Sequence, residues 1–174
     1  MAICNFNPFP TLTTERLSLR QFIPGDENEI FIMRSDEEMN KYTGIEKAES
    51  IEDAISFIEK INKLIGNNES VMWGITLKHE SRLIGTICLW NIVSEEEQAE
   101  TGYVLLPQFQ GRGIMQEAIM KVIEYGFTAM KLQSIIADLH PDNISSVKLL
   151  ERTGFVFESS SIDTVIYRLQ KRIP

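Results

Sequence analysis

Polar and apolar positions change period several times along the chain, and each change marks an element. Residues 17–22 (Leu-Ser-Leu-Arg-Gln-Phe) alternate as a half-buried strand does. Pro24-Gly25-Asp26 breaks the alternation and opens a helical stretch over 27–34. Ser50 with Asp53 resembles an N-terminal capping arrangement, with Asp in place of the usual Glu. Behind it Ile51, Ala54, Ile55, Ile58, Ile61, Leu64 and Ile65 recur at helical spacing, and Gly66-Asn67-Asn68 predicts the stop. Three strand-like runs follow over 71–77, 82–92 and about 99–106, with turns at 78–81 and 95–97; short turns between successive strands predict an antiparallel meander. An amphipathic segment then runs to about Met130, with Ala118, Ile119, Val122, Ile123, Phe127 and Met130 on one core-facing stripe. A strand over 134–139, a helix over 143–152 ended by Gly154, and a hairpin of 155–158 with 164–169 complete the order. The pattern is α/β with a mixed sheet, and shows no repeat, low-complexity segment or linker.

Composition narrows the class. A chain of 174 residues with 43% hydrophobic content fits one ordinary domain spanning residues 1–174, with a real core. Cys4 and Cys88 are far apart and neither sits at metal-ligand spacing, so ordinary reduced thiols are expected. His79 and His140 join no cysteine cluster, and no metal site is readable. No basic region followed by an apolar stretch opens the chain, and no window approaches the ~18 apolar residues of a membrane span. The expected location is therefore cytoplasmic, with no membrane partner. The formal charge of −8 argues against nucleic acid and would attract cationic ligands.

Candidate chemistry concentrates at residues 108–118, Gln-Phe-Gln-Gly-Arg-Gly-Ile-Met-Gln-Glu-Ala. A strand, a turn with two glycines and a helix N-terminus make a cradle for phosphates, because the first helical N–H groups are unpaired and the helix dipole favours an anion. The Lys-Ser/Thr pair of a P-loop is missing, as are the full G-x-G-x-x-G and its distal acid. Taken alone, Gly-x-Gly is equally a turn between two core elements.

Gln108, Gly111 and Gly113, followed by Glu117-Ala118, resemble the acetyl-CoA signature of the GNAT N-acetyltransferase superfamily. Asn143-Ile-Ser-Ser146 with a helix ending at Gly154-Phe155 is similar to that family's second signature. Residues 12–20, with Glu15-Arg16-Leu17, resemble the opening strand of the ribosomal-protein N-terminal acetyltransferase (RimJ/RimL-like) branch. The resemblance runs from about residue 12 to about 168. It implies a mixed, mostly antiparallel sheet with splayed central strands and flanking helices. Acetyl-CoA is the implied co-substrate and lies in the splay. The implied acceptor is a primary amine: a protein N-terminus by branch, or a small molecule such as a polyamine or aminoglycoside. A homodimer is a family habit. A non-catalytic acyl-CoA-binding sensor is the rival reading.

The resemblance also implies a cofactor site. The amides of Gln110, Gly111, Arg112, Gly113, Ile114 and Met115 would form the cradle, and the backbone of Val104, Leu105 and Leu106 would meet the pantetheine arm. The Arg112 side chain would pair with a phosphate or stay a solvated loop cation. Asn143 would donate to the cofactor arm. Pro107, which cannot donate a ladder hydrogen bond, suits the end of the splayed strand.

Direct acetyl transfer needs a proton acceptor for the amine, an oxyanion partner and support for the leaving thiolate. Glu100-Thr101-Gly102-Tyr103 resembles the Glu-Ile-Gly-Tyr of the same branch, and strand alternation puts Glu100, Gly102 and Val104 on one face. Glu100 is the candidate base, direct or through water, against the alternative of a solvated carboxylate. The helix after Asn143 lacks the tyrosine that many family members place near the thiol, which leaves Ser146 as the candidate for thiolate support. Serine at 145 and 146 also suits plain first-turn capping. Acceptor identity is expected to reside near 43–50 and 92–98.

Overall fold

The computed structural model describes residues 1–171. Its elements are β1 (Leu12–Thr13), β2 (Leu17–Arg20), α1 (Glu27–Ser35), α2 (Glu37–Asn40), α3 (Ile51–Gly66), β3 (Val71–Leu77), β4 (Leu83–Val93), β5 (Gln98–Leu105), α4 (Ile114–Thr128), β6 (Ser134–Leu139), α5 (Ile144–Arg152), β7 (Val156–Ser160) and β8 (Val165–Gln170). The strands form one eight-stranded sheet in the order β1-β2-β3-β4-β5-β6-β8-β7. Every neighbouring pair is antiparallel except β5 and β6, which run parallel across the α4 crossover.

Local chemistry sets the helix ends. Ser50 and Asp53 form a reciprocal capping box at the start of α3, and Asp supplies the reach usually given by Glu. At the other end Asn68, not Gly66, takes the left-handed conformation, with φ of 59°. Ala54, Ile61 and Ile65 are the buried residues of α3, whereas Ile55 turns outward and is 41% exposed. Asp26 is buried at the N-cap of α1 and holds Arg20 of β2 through paired contacts of 2.7 and 2.9 Å. Its carboxylate also accepts from the Ile23 N–H at 2.8 Å, which fixes the chain reversal between strand and helix.

The central strands β3 and β4 are largely buried on both faces, whereas the edge strand β7 is exposed. α4 lies on the face that carries Trp73, Leu89 and Ile135: the Trp73 and Tyr125 rings meet edge-on at 5.5 Å. At Gly126 a Cβ would stand only 3.2 Å from Ile135 and Leu132. α1 and α3 pack on each other and onto β4 and β3, covering the other face. One continuous apolar cluster joins these layers, from Phe6 and Leu17 to Phe155 and Tyr167.

The feature that positions the site is a defect in this sheet. β5 and β6 pair only at Gln98–Ser134, Ala99–Ile135 and Glu100–Ile136. Beyond Glu100 the two strands diverge, while β5 stays paired with β4 as far as Leu105. The result is a V-shaped gap through the middle of the sheet with Glu100 at its vertex. Pro107 begins a short 3₁₀ turn over Pro107–Phe109 that carries the chain from the end of β5 into the cradle, a position where its missing N–H costs nothing.

Candidate active site

A cavity of about 490 Å³ opens from the gap. One wall is the end of β5, with Tyr103, Val104 and Leu105; a second is the turn and first residues of α4, with Gln110, Gly111, Gly113, Ile114, Met115 and Gln116. α5 supplies Asn143, Ser145, Ser146, Lys148, Leu149 and Arg152, and the rim comes from Glu38, Met39, Tyr42 and Thr43 around α2.

The cradle geometry follows from its glycines. Gly111 and Gly113 both have φ of +72°, which L residues with side chains seldom adopt. Gly113 is the N-cap of α4, so the amides of Ile114, Met115 and Gln116 have no partner within the helix. Gln110 ties the turn to the strand: its Nε2 donates to the Leu105 carbonyl at 2.8 Å, and its backbone N–H donates to Pro107 at 3.1 Å.

Strand alternation decides which backbone groups face the gap. The Leu106 N–H donates to the Ile84 carbonyl at 2.9 Å, and the Gly102 carbonyl accepts from the Cys88 thiol at 3.4 Å. Both therefore point toward β4. Groups one residue away point oppositely, so Tyr103 and Leu105 present their N–H groups to the gap. This revises the expected backbone contact at 104–106. Of the three, only Leu105 turns its N–H to the gap, joined there by Tyr103; the Val104 and Leu106 amides face β4, although Val104 still lines the cavity, while the Leu106 side chain is buried.

Alternation also separates the titratable groups. Glu100 pairs directly with Trp90 and shares its sheet face with Gly102 and Val104, whereas Tyr103 faces the other way, toward α5. Glu100 lies at the vertex, outside the cavity lining. Burial raises its pKa above the ordinary carboxylate value; a hydrogen bond from Asn91 at 3.4 Å opposes the rise, and the nearby charge of Asp138 adds to it. A Cβ on Gly102 would meet the Cys88 sulfur at 3.5 Å and the Trp90 indole at 4.0 Å, both ordinary van der Waals contacts.

On the opposite face Tyr103 and Ser146 both line the cavity, and burial pushes the Tyr103 phenol up to about 12, with Ser146 opposing the rise. Asn143 is the N-cap of α5: its Oδ1 accepts from the Ser146 N–H at 3.3 Å and from the Ser145 hydroxyl at 3.1 Å. The capping role weighed for the serines thus belongs to Asn143, which keeps its amide NH₂ as a donor.

The sequence reading did not single out Tyr103, Lys148 or Arg152. Lys148 and Arg152 lie one turn apart on α5 and bring two cations into a cavity of a chain whose net charge is −8. Arg112, by contrast, is absent from the lining. At the rim Tyr42 stacks on His140 at 5.2 Å between centroids. The rim spans 38–43, so only Thr43 of the expected acceptor loops lines the cavity.

These features fit a phosphorylated thioester: unpaired amides and two cations for phosphates, a free strand edge for an amide-bearing arm, and hydroxyls beside the gap. Comparison with known proteins agrees. The model for the acetyltransferase (GNAT) domain matches residues 16–156. The uncharacterized N-acetyltransferase YoaA of Bacillus subtilis (strain 168) is 40% identical over 147 residues, 84% of this chain and 83% of that protein. The [ribosomal protein uS5]-alanine N-acetyltransferase of Escherichia coli (strain K12) is 29% identical, over 61% of this chain and 55% of that protein. The crystal structure of spermidine N-acetyltransferase from Vibrio cholerae in complex with CoA and spermine superposes with a TM-score of 0.80 at 25% identity, covering 90% of this chain and 96% of that one. The chain belongs to the GNAT acetyltransferase family and is an acetyl-CoA-dependent N-acetyltransferase.

Proposed function

We propose that the protein acetylates the α-amine at the N-terminus of a basic protein, as a member of the RimJ/RimL-like branch, and that residues 1–174 act as one domain in the cytoplasm, where the unpaired thiols of Cys4 and Cys88 stay reduced. The observation that carries the catalytic part is the vertex of the gap. Glu100 on one sheet face and the Tyr103–Ser146 pair on the other flank the place where the strands part.

Bound acetyl-CoA supplies an activated acetyl group and a thiolate leaving group. Gly111, Gly113, Ile114 and Met115 offer cradle amides, with Lys148 and Arg152 facing them, whereas the Gln110 amide is engaged by the Pro107 carbonyl; the Tyr103 and Leu105 N–H groups hold the arm along β5. Asn143 donates its NH₂ from the start of α5. The incoming amine carries a proton at neutral pH. Glu100 takes that proton through water, because its carboxylate sits at the vertex and not in the cavity wall. Ser146 donates a hydrogen bond to the departing sulfur, with Tyr103 beside it in the cavity lining. Neither group meets Glu100, so the proton removed from the amine and the charge arriving on sulfur are handled on separate faces.

Support for a protein acceptor comes from charge and shape. The chain is acidic, Glu38 stands at the cavity rim, and Trp90 lies 46% exposed beside Glu100. An acidic enzyme with an open rim suits a basic polypeptide end. A polyamine acceptor shares the positive charge, and the spermidine acetyltransferase among the relatives, 27% identical over 85% of this chain, favours it as the second reading. An acceptor panel of peptides with basic N-terminal segments, spermidine, spermine and aminoglycosides, read by thiol release, separates the two. Turnover on peptides with none on polyamines supports the proposal; the reverse refutes it.

A further inference from the structure

The N-terminal hairpin reaches the cradle through one side chain. Arg16, at the end of the β1–β2 turn, donates from Nη1 to the Arg112 carbonyl at 3.0 Å, between the two left-handed glycines. Its Nε donates to Glu117 Oε2 at 2.6 Å, and its backbone N–H donates to Glu117 Oε1 at 2.9 Å. The Thr14 hydroxyl also donates to Glu117. A Cβ on Gly113 would lie 3.6 Å from Arg16 Nη2, which makes no hydrogen bond among the described residues. The Arg16 side chain is 48% accessible.

Glu117 poses an electrostatic problem that this arrangement solves. A carboxylate in the first turn of α4 is favourable for the helix alone. Here the same helix end must accept the anionic diphosphate, and two anions at one N-terminus repel. The Arg16 guanidinium cancels the Glu117 charge, immobilises the Arg112 carbonyl, and leaves Nη2 beside Gly113.

We propose that Arg16 is a phosphate-recognising residue of the acetyl-CoA site, delivered by the β1–β2 hairpin and held in place by Glu117. This inference rests on the reading of residues 110–115 as the diphosphate cradle. Arg16, like Arg112, stands outside the cavity lining; what ties it to the cradle is its hold on the Arg112 carbonyl and the nearness of Nη2 to Gly113.

The test compares acetyl-CoA with S-acetylpantetheine, which carries the same thioester and arm but no phosphate. Wild type should prefer acetyl-CoA strongly in KM. Arg16→Gln should raise the KM for acetyl-CoA about 10- to 100-fold, the weight of a charge-assisted hydrogen bond, while the KM for S-acetylpantetheine stays within about twofold. Arg16→Lys should fall between them. Adding Glu117→Gln to Arg16→Gln should recover part of the loss by removing the exposed anion. Circular dichroism confirms folding of each variant. Equal loss with both thioesters would make Arg16 a structural strap and overturn the proposal, as would unchanged discrimination in Arg16→Gln. A wild type that does not discriminate between the two thioesters would overturn the cradle itself, an outcome distinct from failure of Arg16 alone.

Discussion

Glu100→Gln tests the chemistry at the vertex of the sheet. The change keeps shape and hydrogen-bonding reach but removes the basic oxygen. General-base assistance contributes about 10² to 10⁴ in rate. Glu100 acts from outside the cavity lining, through water, so the lower half applies: a fall in kcat of about 100- to 1000-fold, or about 3 to 4 kcal/mol of barrier. The KM for acetyl-CoA should hold, because Glu100 contributes nothing to the cradle. Misfolding does not explain such a loss. A raised carboxyl pKa means the folded chain binds that proton more tightly than the unfolded chain. Stability therefore falls as pH rises from the unfolded toward the folded value, and the amide removes this cost at neutral pH. The rescue by pH carries the diagnosis. An α-amine with a pKa of about 8 is roughly a tenth unprotonated at pH 7 and nine-tenths at pH 9, so the variant should recover about tenfold and then level off. An aliphatic amine with a pKa of about 10.4 would instead rise about 100-fold over the same span and continue upward. Wild type should show an acid limb above the ordinary carboxylate range, and Asp138→Asn should shift it toward lower pH by removing a neighbouring charge. The assay is initial-rate thiol release from pH 5.5 to 9.5 at saturating acetyl-CoA. Wild-type turnover by Glu100→Gln at every pH would refute the assignment.

Three further outcomes test other parts of the structure. Ser146→Ala should lower kcat by about tenfold with acetyl-CoA affinity nearly unchanged, because its role arises as the thioester breaks; unchanged kcat at saturation would leave Ser146 a helix residue only. Gly113→Val should weaken acetyl-CoA binding at least tenfold by calorimetry, since a β-branched residue resists φ of +72° and its Cβ would stand 3.6 Å from Arg16 Nη2; wild-type affinity in a folded variant would mean the cradle lies elsewhere. Asp26→Ala should destabilise the fold by about 3 kcal/mol in urea denaturation, the low end for a broken buried pair because Arg20 keeps the Gln21 and Ser81 carbonyls; a loss under about 1 kcal/mol would show that the pair is dispensable.

The sequence carried the elements better than their meeting points. Periodicity alone located β3 over 71–77 and β6 over 134–139 at the observed bounds, because both are short apolar runs closed by turn residues. It placed Ile55 on the core stripe of α3, where it is exposed, because spacing fixes a stripe only to within a residue or two and the docking of α1 decides its centre. Tyr103 was missed for a related reason. Attention to the face of Glu100 assigned alternate residues to the site, yet a gap through the sheet exposes both faces of β5 to one cavity. Lys148 and Arg152 had no local signal, since only the docking of α5 beside the cradle gives their i, i+4 spacing a purpose.

Arg16 shows how such meeting points arise from residues far apart in sequence. The Glu15-Arg16-Leu17 stretch resembles the opening strand of the RimJ/RimL-like branch, but nothing in residues 12–20 says that a guanidinium will stand over a turn almost a hundred positions later. The link is topological. The β2–β3–β4–β5 meander and the return crossover bring the start of α4 beneath the β1–β2 turn, where Thr14 and Arg16 converge on Glu117. The Glu-Ala pair that marks the cradle helix and the Glu-Arg-Leu that marks the opening strand thereby become the two halves of one ion pair. A substitution at either half should therefore be read out at the phosphates of acetyl-CoA, and the opening strand, which bears no catalytic group, acts on the reaction through the affinity of its co-substrate.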